Sequence, residues 1–411
     1  MKRSLFALLT AAMLAALCVP ALCFDPSVPP AERNAILFSW DAVQRRHLDE
    51  CMSRNELPNL AALIAEGNMV NLRITNHETD TKSGHTQMLT GYDPAITGVH
   101  NNKRFRAIPE GLTIFERLEQ TFGDENITTI MLTGKDHHIG SVAPSTPEQI
   151  KKAKEELKVV WAGNDPKPVK QTKARQLNFI IMNPAGEPWC VVKKNFDVWN
   201  GDIQRDTTVV GPLMMEYLDK YGKGRFFAFF HFRDPDNKGH AYGENSKQYN
   251  DAMIACDKWL GETVKKLKEL GIYDKTMVFV TTDHGFDEGQ MNHRNSPAVF
   301  FAGNLESLSK NGDQRDIVPT ILTEMGVDIS KIQPKYPRTV LTREQNWVAG
   351  PHPRPSPNAG RSPPEADRPV LGEGDRGGEG WSLWLLIRHT QDISQNGKSV
   401  STSSLQNRIT R

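Results

Sequence analysis

The sequence has few cysteines and almost no net charge. Five cysteines occur among 411 residues, and the three beyond residue 23, Cys51, Cys190 and Cys256, form no CxxC pair. This excludes a disulfide scaffold and a cysteine-based zinc motif. The chain has 50 Lys and Arg residues against 49 Asp and Glu residues, a net charge of +1. Such a balance is not typical of proteins that bind nucleic-acid duplexes or anionic membranes.

The sequence does contain enough apolar material for a large core. Hydrophobic residues make up 38% of the chain, and they include 8 Trp and 17 Phe. A chain of this composition is not disordered throughout. Its length predicts two or three domains, or one large α/β domain that carries a long insertion.

Residues 1–23 predict an export signal. Lys2 and Arg3 precede an apolar stretch from Leu5 to Leu17, and small residues follow near Ala21 and Cys23. We therefore expect a periplasmic or secreted protein that has no stable membrane span after cleavage. The alternative is an uncleaved N-terminal anchor, although the apolar stretch is shorter than the ~20 residues of a comfortable span.

The end of the chain, residues 347–411, differs in composition from the rest. Residues 351–369 contain seven Pro, residues 371–380 contain five Gly, and the last residues are rich in Ser, Gln and Asn. Such a segment cannot bury enough apolar surface to fold. We predict a disordered tail, which is either native or a non-native extension.

Residues 33–346 alternate between short apolar runs and helical patterns, as expected of a catalytic domain. Helical spacing is clearest from Ser246 to Leu270, where Gly271 ends the pattern. The predicted strands are 35–40, 69–74, 127–133, 225–232 and 277–282. This alternation predicts an α/β fold, a three-layer sandwich with a mostly parallel central sheet.

Residues 141–208 interrupt this alternation. They include Trp161, Trp189 and Trp199 and two basic stretches, 151–158 and 167–175. We interpret the segment as an inserted cap over the site that selects the leaving group.

Polar residues follow four of the predicted strands: Asp41, Lys135, Asp236 and the pair Asp283-His284. The carboxyl ends of parallel strands meet at one edge of a sheet, where sites form. A single Asp there would be explained as a helix cap or turn residue. Four such strand ends predict a metal site instead, because His240 follows Asp236 closely in the sequence and His293 follows Asp283-His284. Carboxylate and imidazole ligands in this mixture suit Zn²⁺ best, followed by Mn²⁺ or Fe.

The order of these residues resembles the alkaline phosphatase superfamily, which includes nucleotide pyrophosphatase/phosphodiesterases, sulfatases and phosphate-irrepressible alkaline phosphatases. The resemblance covers roughly residues 35–325. It includes Thr81, which is followed ten residues later by Gly91 in a Leu-Thr-Gly ending, and also His85 and Asn102. It implies an alkaline phosphatase-like fold and two divalent metal ions. One ion would be held by Asp236, His240 and His293, and the other by Asp41, Thr81, Asp283 and His284.

The implied reaction is hydrolysis of a small-molecule phosphate ester. A threonine hydroxyl is a weak nucleophile until a cation stabilises its alkoxide. Two cations about 4 Å apart can hold the attacking and leaving oxygens of an in-line displacement. The resemblance therefore implies attack by Thr81, a covalent phosphothreonine and its hydrolysis by water. It also implies that Asn102 binds a non-bridging phosphoryl oxygen.

The segment from Gly134 to His138 bears on the type of ester. It resembles the Lys-Asp-Arg segment of phosphate-irrepressible alkaline phosphatases, with His137 in place of Arg, and the Gly-Lys-x-His of sulfatases. A lysine that reaches a non-bridging oxygen favours a dianionic monoester, so a phosphatase-like enzyme is the leading prediction. The alternative for Lys135 is a solvated loop residue. A working sulfatase is disfavoured because it needs Cys or Ser where this chain has Thr81.

Other functions are compatible with the same residues. A phosphodiesterase or nucleotide pyrophosphatase, or a phosphonate hydrolase, would use the same machinery on a different ester. A relative that binds metal but has lost turnover is the non-enzymatic alternative.

Overall fold

The computed structural model describes residues 23–182, 186–308, 311–338 and 340–341. The predicted signal, apart from Cys23, and the predicted tail 347–411 lie outside the described residues. The chain divides into two compact units. Residues 148–182 form one, and the described residues on either side of that range form the other.

The larger unit is built on an eight-stranded sheet in the order β4-β3-β5-β1-β6-β7-β2-β8. Its strands are β1 (Asn34–Trp40), β2 (Asn68–Arg73), β3 (Thr128–Leu132), β4 (Val198–Asn200), β5 (Phe226–Phe232), β6 (Thr276–Thr281), β7 (Ala298–Gly303) and β8 (Asn311–Asp313). Strand β7 runs antiparallel to both of its neighbours, and the other described pairs are parallel. The predicted α/β class with a mostly parallel sheet is thus confirmed.

Helices cover both faces of this sheet. In the larger unit they are α1 (Arg45–Ser53), α2 (Pro58–Glu66), α3 (Thr81–Thr90), α4 (Pro94–Thr97), α5 (Ile114–Phe122), α6 (Asp136–Ile139), α9 (Thr207–Tyr221), α10 (Asp234–Tyr242), α11 (Lys247–Glu269) and α12 (Ile317–Glu324). The smaller unit consists of α7 (Pro147–Ala162) and α8 (Lys167–Met182). No helix among the described residues is long and apolar enough to cross a membrane.

Strand β1 lies at the centre of the sheet because its side chains are apolar on both faces. Leu37 packs with α3, α5 and α12 in one buried cluster. Phe38 and Trp40 pack with α1, α2, α9 and α11 in the other. All seven β1 residues are buried, as expected for a parallel strand that is covered on both sides.

The structure contains strands that the sequence did not predict. Strand β4 lies within the segment 141–208 that was interpreted as an insertion, yet it pairs with β3 in the central sheet. The separate compact unit is therefore narrower, residues 148–182. The role of a cap that selects the leaving group stays a prediction.

Candidate metal centre

The strands that precede the predicted site residues are four neighbours in the middle of the sheet. Strands β3, β5, β1 and β6 are adjacent and mutually parallel. Their carboxyl ends therefore lie at one edge, and the side chains that follow them meet there: Lys135, Asp236, Asp41, Asp283 and His284.

Thr81 reaches this edge as the first residue of helix α3. Asp80 is the N-cap, so the Thr81 side chain lies at the positive end of the helix. Gly91 ends the helix in the left-handed conformation, with φ of 74°, which explains why glycine follows Leu89 and Thr90. Thr81 Oγ1 lies 3.5 Å from His284 Nε2 and 3.3 Å from Lys135 Nζ.

Each of three buried carboxylates has one oxygen bound to a protein donor and one oxygen that accepts no hydrogen bond. Asp41 Oδ2 accepts from Lys135 Nζ and His231 Nε2, both at 2.9 Å. Asp236 Oδ2 accepts from Lys135 Nζ at 2.6 Å. Asp283 Oδ1 accepts from the Ala42 N–H at 3.0 Å. The remaining oxygens, Asp41 Oδ1, Asp236 Oδ1 and Asp283 Oδ2, are buried without a hydrogen-bond partner.

Three histidines show the matching arrangement. His240 Nδ1 lies 2.9 Å from the Met291 carbonyl, His284 Nδ1 lies 2.9 Å from the Gly285 carbonyl, and His293 Nδ1 lies 2.6 Å from the Thr79 carbonyl. A carbonyl can only accept, so Nδ1 carries the proton in each ring. In a neutral ring Nε2 then presents its lone pair. Second-shell bonds of this kind orient histidines as metal ligands.

These free lone pairs form two groups. Asp236 Oδ1 lies 3.3 Å from His240 Nε2 and 3.7 Å from His293 Nε2, and the two ring nitrogens are 3.1 Å apart. Asp283 Oδ2 lies 3.2 Å from His284 Nε2, which is 3.8 Å from Asp41 Oδ1. Two neutral Nε2 atoms cannot hydrogen-bond to each other, because neither carries a proton. Each group of carboxylate oxygens and imidazole nitrogens is instead suited to bind a divalent cation. The ligands predicted from sequence come together here in the two predicted groups.

The two groups differ in access. Asp41, Asp283 and His284 are fully buried. The His240 side chain is 44% exposed and that of His293 12%. A substrate would therefore approach from the side of the Asp236–His240–His293 group.

Lys135 joins the two groups. Its ammonium contacts Asp41 from one group, Asp236 from the other, and Thr81 Oγ1. Burial alone would lower the pKa of Lys135, but Asp236 and Asp41 raise it above its ordinary value, so the lysine is charged. Its 5% exposure rules out the alternative of a solvated loop lysine.

The centre carries uncompensated negative charge. Three carboxylates face one ammonium, and burial together with Asp283 raises the pKa of Asp41 to about 6. Burial also opposes ionisation of Asp236, but Lys135 holds its pKa well below the ordinary value. Buried charges of one sign are costly unless they are paired, and divalent cations would provide that pairing.

Asn102 lies beside the start of helix α3. Its Oδ1 accepts from the Lys82 N–H at 2.9 Å, and its own N–H donates to Asp80 Oδ2 at 3.0 Å. Because Asn102 Oδ1 already accepts a hydrogen bond, the NH₂ group of the same side chain is available to donate to a ligand. The side chain of His137, the remaining predicted site residue, lies outside the described residues.

Two further buried histidines, His231 and His85, contact the predicted ligands Asp41 and Asp283. The sequence alone predicted no role in the site for either histidine. His231 Nδ1 accepts from the Gly134 N–H at 3.2 Å, so its Nε2–H donates to Asp41. His85 contacts the Thr81 carbonyl at 2.9 Å and Asp283 Oδ2 at 3.2 Å through Nδ1, and Ser39 Oγ at 2.9 Å through Nε2. The signal for His231 was its position as the only polar side chain of a phenylalanine-rich strand.

Comparison with known proteins gives the family of the chain. Residues 35–338 match the model of the type I phosphodiesterase / nucleotide pyrophosphatase family. The chain is 23% identical over 265 residues to the bis(5'-adenosyl)-triphosphatase ENPP4 of Pongo abelii, covering 64% of this chain and 49% of the relative. It is 26% identical over 94 residues, 23% of this chain and 10% of the relative, to ectonucleotide pyrophosphatase/phosphodiesterase family member 1 of Homo sapiens. The chain thus spans about half the length, or less, of these relatives.

A solved structure shares the fold. The candidate sulfatase yidJ of Bacteroides fragilis superposes with a TM-score of 0.50 at 15% identity, covering 78% of this chain and 80% of that chain. The match over most of the larger unit shows that the chain belongs to the type I phosphodiesterase / nucleotide pyrophosphatase family. The described residues of this chain also contain candidate metal-binding clusters of Asp and His side chains.

Proposed function

We propose that the protein hydrolyses a phosphoric diester or anhydride bond of a small molecule, with Thr81 as the nucleophile and a covalent phosphothreonine as the intermediate. One observation carries the proposal: the Thr81 hydroxyl lies at a helix N-terminus beside two groups of ligand atoms whose lone pairs are free. The family of the chain supports phosphorus as the centre attacked.

The residues of the chain take distinct parts in this reaction. Bound divalent ions, most suitably two Zn²⁺, would supply the positive charge that acidifies the hydroxyl and stabilises the leaving oxygen. Lys135 donates to Thr81 Oγ1 and stabilises negative charge that develops there. Helix α3 presents the positive end of its dipole to the phosphoryl group, and the Asn102 amide donates to a non-bridging oxygen.

A monoester substrate is the second candidate. It is favoured by Lys135, a buried cation 3.3 Å from the nucleophilic oxygen that could neutralise the additional charge of a dianionic monoester. The relatives named as phosphodiesterases and as a triphosphatase favour the first candidate.

We also propose that the protein is exported. The composition of residues 1–23 supports this, as does the name of the human relative, an ectoenzyme. Sequencing the N-terminus of the protein from the periplasm or medium tests it, and a protein that starts at Met1 in the cytoplasm would contradict it.

The purified protein loaded with Zn²⁺ should be assayed with p-nitrophenyl phosphate, its bis-ester and p-nitrophenyl sulfate. We expect fastest turnover of the bis-ester and none of the sulfate. Thr81→Ala should abolish turnover, and Thr81→Ser should keep a measurable part because it retains a hydroxyl. Thr121→Ala, which removes a hydroxyl bonded within helix α5, is the control. Substantial activity of Thr81→Ala would show that water attacks directly.

A further inference from the structure

The near-neutral charge of the whole chain conceals a basic region. Residues 148–182, the smaller unit, contain eight Lys and Arg residues but four Asp and Glu residues. This local net charge of +4 exceeds the +1 of the entire chain, so the remaining residues are net acidic. Several of these lysines are open to solvent: Lys152, Lys154, Lys158 and Lys167.

The same unit exposes large apolar side chains where its two helices meet. Val159 is 71% exposed, Trp161 53% and Val169 41%. The first two lie in the last turn of α7 and the third in the first turn of α8. Lys170 Nζ donates to the Trp161 carbonyl at 3.3 Å, which holds the two helix ends together. We call residues 158–170 the hairpin tip.

A surface that combines these features suits one kind of partner. Tryptophan is favoured at the boundary between lipid headgroups and acyl chains, because its ring is apolar and its N–H is polar. Lysines around it can lay their methylenes along the apolar surface and place their ammonium groups among phosphates. A nucleic acid would be attracted by the lysines but would leave Val159 and Val169 in water.

We propose that the hairpin tip docks the protein on a membrane surface that contains anionic phospholipids. Trp161, Val159 and Val169 enter the headgroup region, and Lys158, Lys167 and Lys170 contact lipid phosphates. This is interfacial binding and not a span, in agreement with the lack of a membrane-crossing helix among the described residues. The proposal differs from the expectation drawn from the net charge of the whole chain, which is not typical of proteins that bind anionic membranes.

The test is sedimentation of the purified protein with vesicles of phosphatidylcholine alone or mixed with phosphatidylglycerol. We expect binding to the mixed vesicles, weaker binding at high salt, and little binding to phosphatidylcholine. Lys158→Gln with Lys167→Gln should weaken binding about fivefold per lysine. Trp161→Ser should weaken it on the order of tenfold and remove a blue shift of tryptophan fluorescence.

Matched variants in the larger unit separate the hairpin tip from general surface effects. Val209→Ser removes an apolar side chain that is 46% exposed, and Lys247→Gln removes a lysine that is 82% exposed. Both should bind vesicles like the wild type. Equal loss in these controls, equal binding to neutral vesicles, or no binding would overturn the proposal. So would a dimer, detected by light scattering without lipid, that Trp161→Ser converts to a monomer.

Discussion

At the scale of single residues, the candidate centre is organised by which atom of each side chain is already bonded. Asp41 and Asp236 both give one oxygen to Lys135, and the histidine ligands give Nδ1 to backbone carbonyls. The remaining atoms are therefore oriented before any ligand binds. Lys135 can act in two ways: it can hold Asp41, Asp236 and the Thr81 hydroxyl in place, or it can also contact the substrate.

The variant Lys135→Ala distinguishes these roles. If the ammonium neutralises the extra charge of a monoester, kcat/KM for p-nitrophenyl phosphate should fall roughly thirty- to thousandfold. The bis-ester should be affected far less, because it lacks that charge. Lys135→Arg, which keeps the charge, is the matched control. An equal fall for both substrates would mean that Lys135 acts through Thr81, Asp41 and Asp236 and not through the additional charge of a monoester.

At the scale of elements, helix α3, which carries the proposed nucleophile Thr81, is placed by close contact with the loop after β6. All ten of its residues are buried. A Cβ atom on Gly84 would lie 2.4 Å from the Asp283 carbonyl oxygen and 2.9 Å from its Cβ. Glycine at this position therefore sets the distance between Thr81 and the buried ligand group.

Gly84→Ala should displace α3 from Asp283. We expect a loss of about 1–3 kcal/mol in the free energy of unfolding, as for other overpacked sites, and a larger fall in kcat than in substrate affinity. Urea unfolding and steady-state kinetics measure the two effects. Gly224→Ala is the control, because a Cβ there has its nearest contact at 3.8 Å. Wild-type kcat in Gly84→Ala would show that the spacing is not critical.

The contact between helix α5 and strand β3 predicts a pH effect. Burial, with Asp197, Asp124 and Glu116, raises the pKa of Glu119 to about 7, although the Thr129 hydroxyl opposes the shift. A raised pKa in the folded state means that Glu119 stabilises the fold most at acid pH, and that this contribution is lost as the pH rises through about 7. Glu119→Gln should therefore gain in melting temperature relative to wild type between pH 5 and pH 8. The control Glu269→Gln, which changes an exposed carboxylate, should show no such gain. An equal gain of Glu119→Gln at pH 5 and at pH 8 would contradict the raised pKa of Glu119.

The sequence predicts the parts of the fold that follow simple patterns. Strand β1 and helix α11 lie within one residue of their predicted bounds, because one is a continuous apolar run and the other a long amphipathic helix. Strands β4 and β8 were missed because three residues carry no period. Strand β7, Ala298–Gly303, was missed although it is an apolar run of six residues. At the site, the sequence predicts which side chains form the two candidate metal groups. It does not predict that Lys135 contacts both groups or that His231 donates to Asp41, since neither contact depends on local sequence.

At the scale of the whole molecule, we expect metal binding to be coupled to folding. The residues of each ligand group are far apart in the sequence and come together only in the folded chain. We expect about two divalent ions per chain by elemental analysis. Zn²⁺ at about a hundredfold excess over Kd should stabilise the fold by ~2.7 kcal/mol per site, visible as a higher melting temperature. His240→Ala and Asp283→Ala should each lose metal and activity, while circular dichroism still shows helix α11.

The control for this coupling is His100→Ala, which removes a histidine outside both ligand groups. It should keep the metal content and the thermal shift of the wild type. Full metal occupancy in both His240→Ala and Asp283→Ala would disprove the ligand assignment.

The central position of β1 also determines how late in synthesis the candidate metal centre can form. The ribosome makes β1 early, yet its partners β5 and β6 begin at Phe226 and Thr276. Asp41 and Thr81 are synthesised long before Asp283, His284 and His293, so neither ligand group is complete until almost all of the larger unit has been translated. A partly synthesised chain therefore lacks both complete ligand groups, and under the proposed function it would be inactive in the cell that makes it.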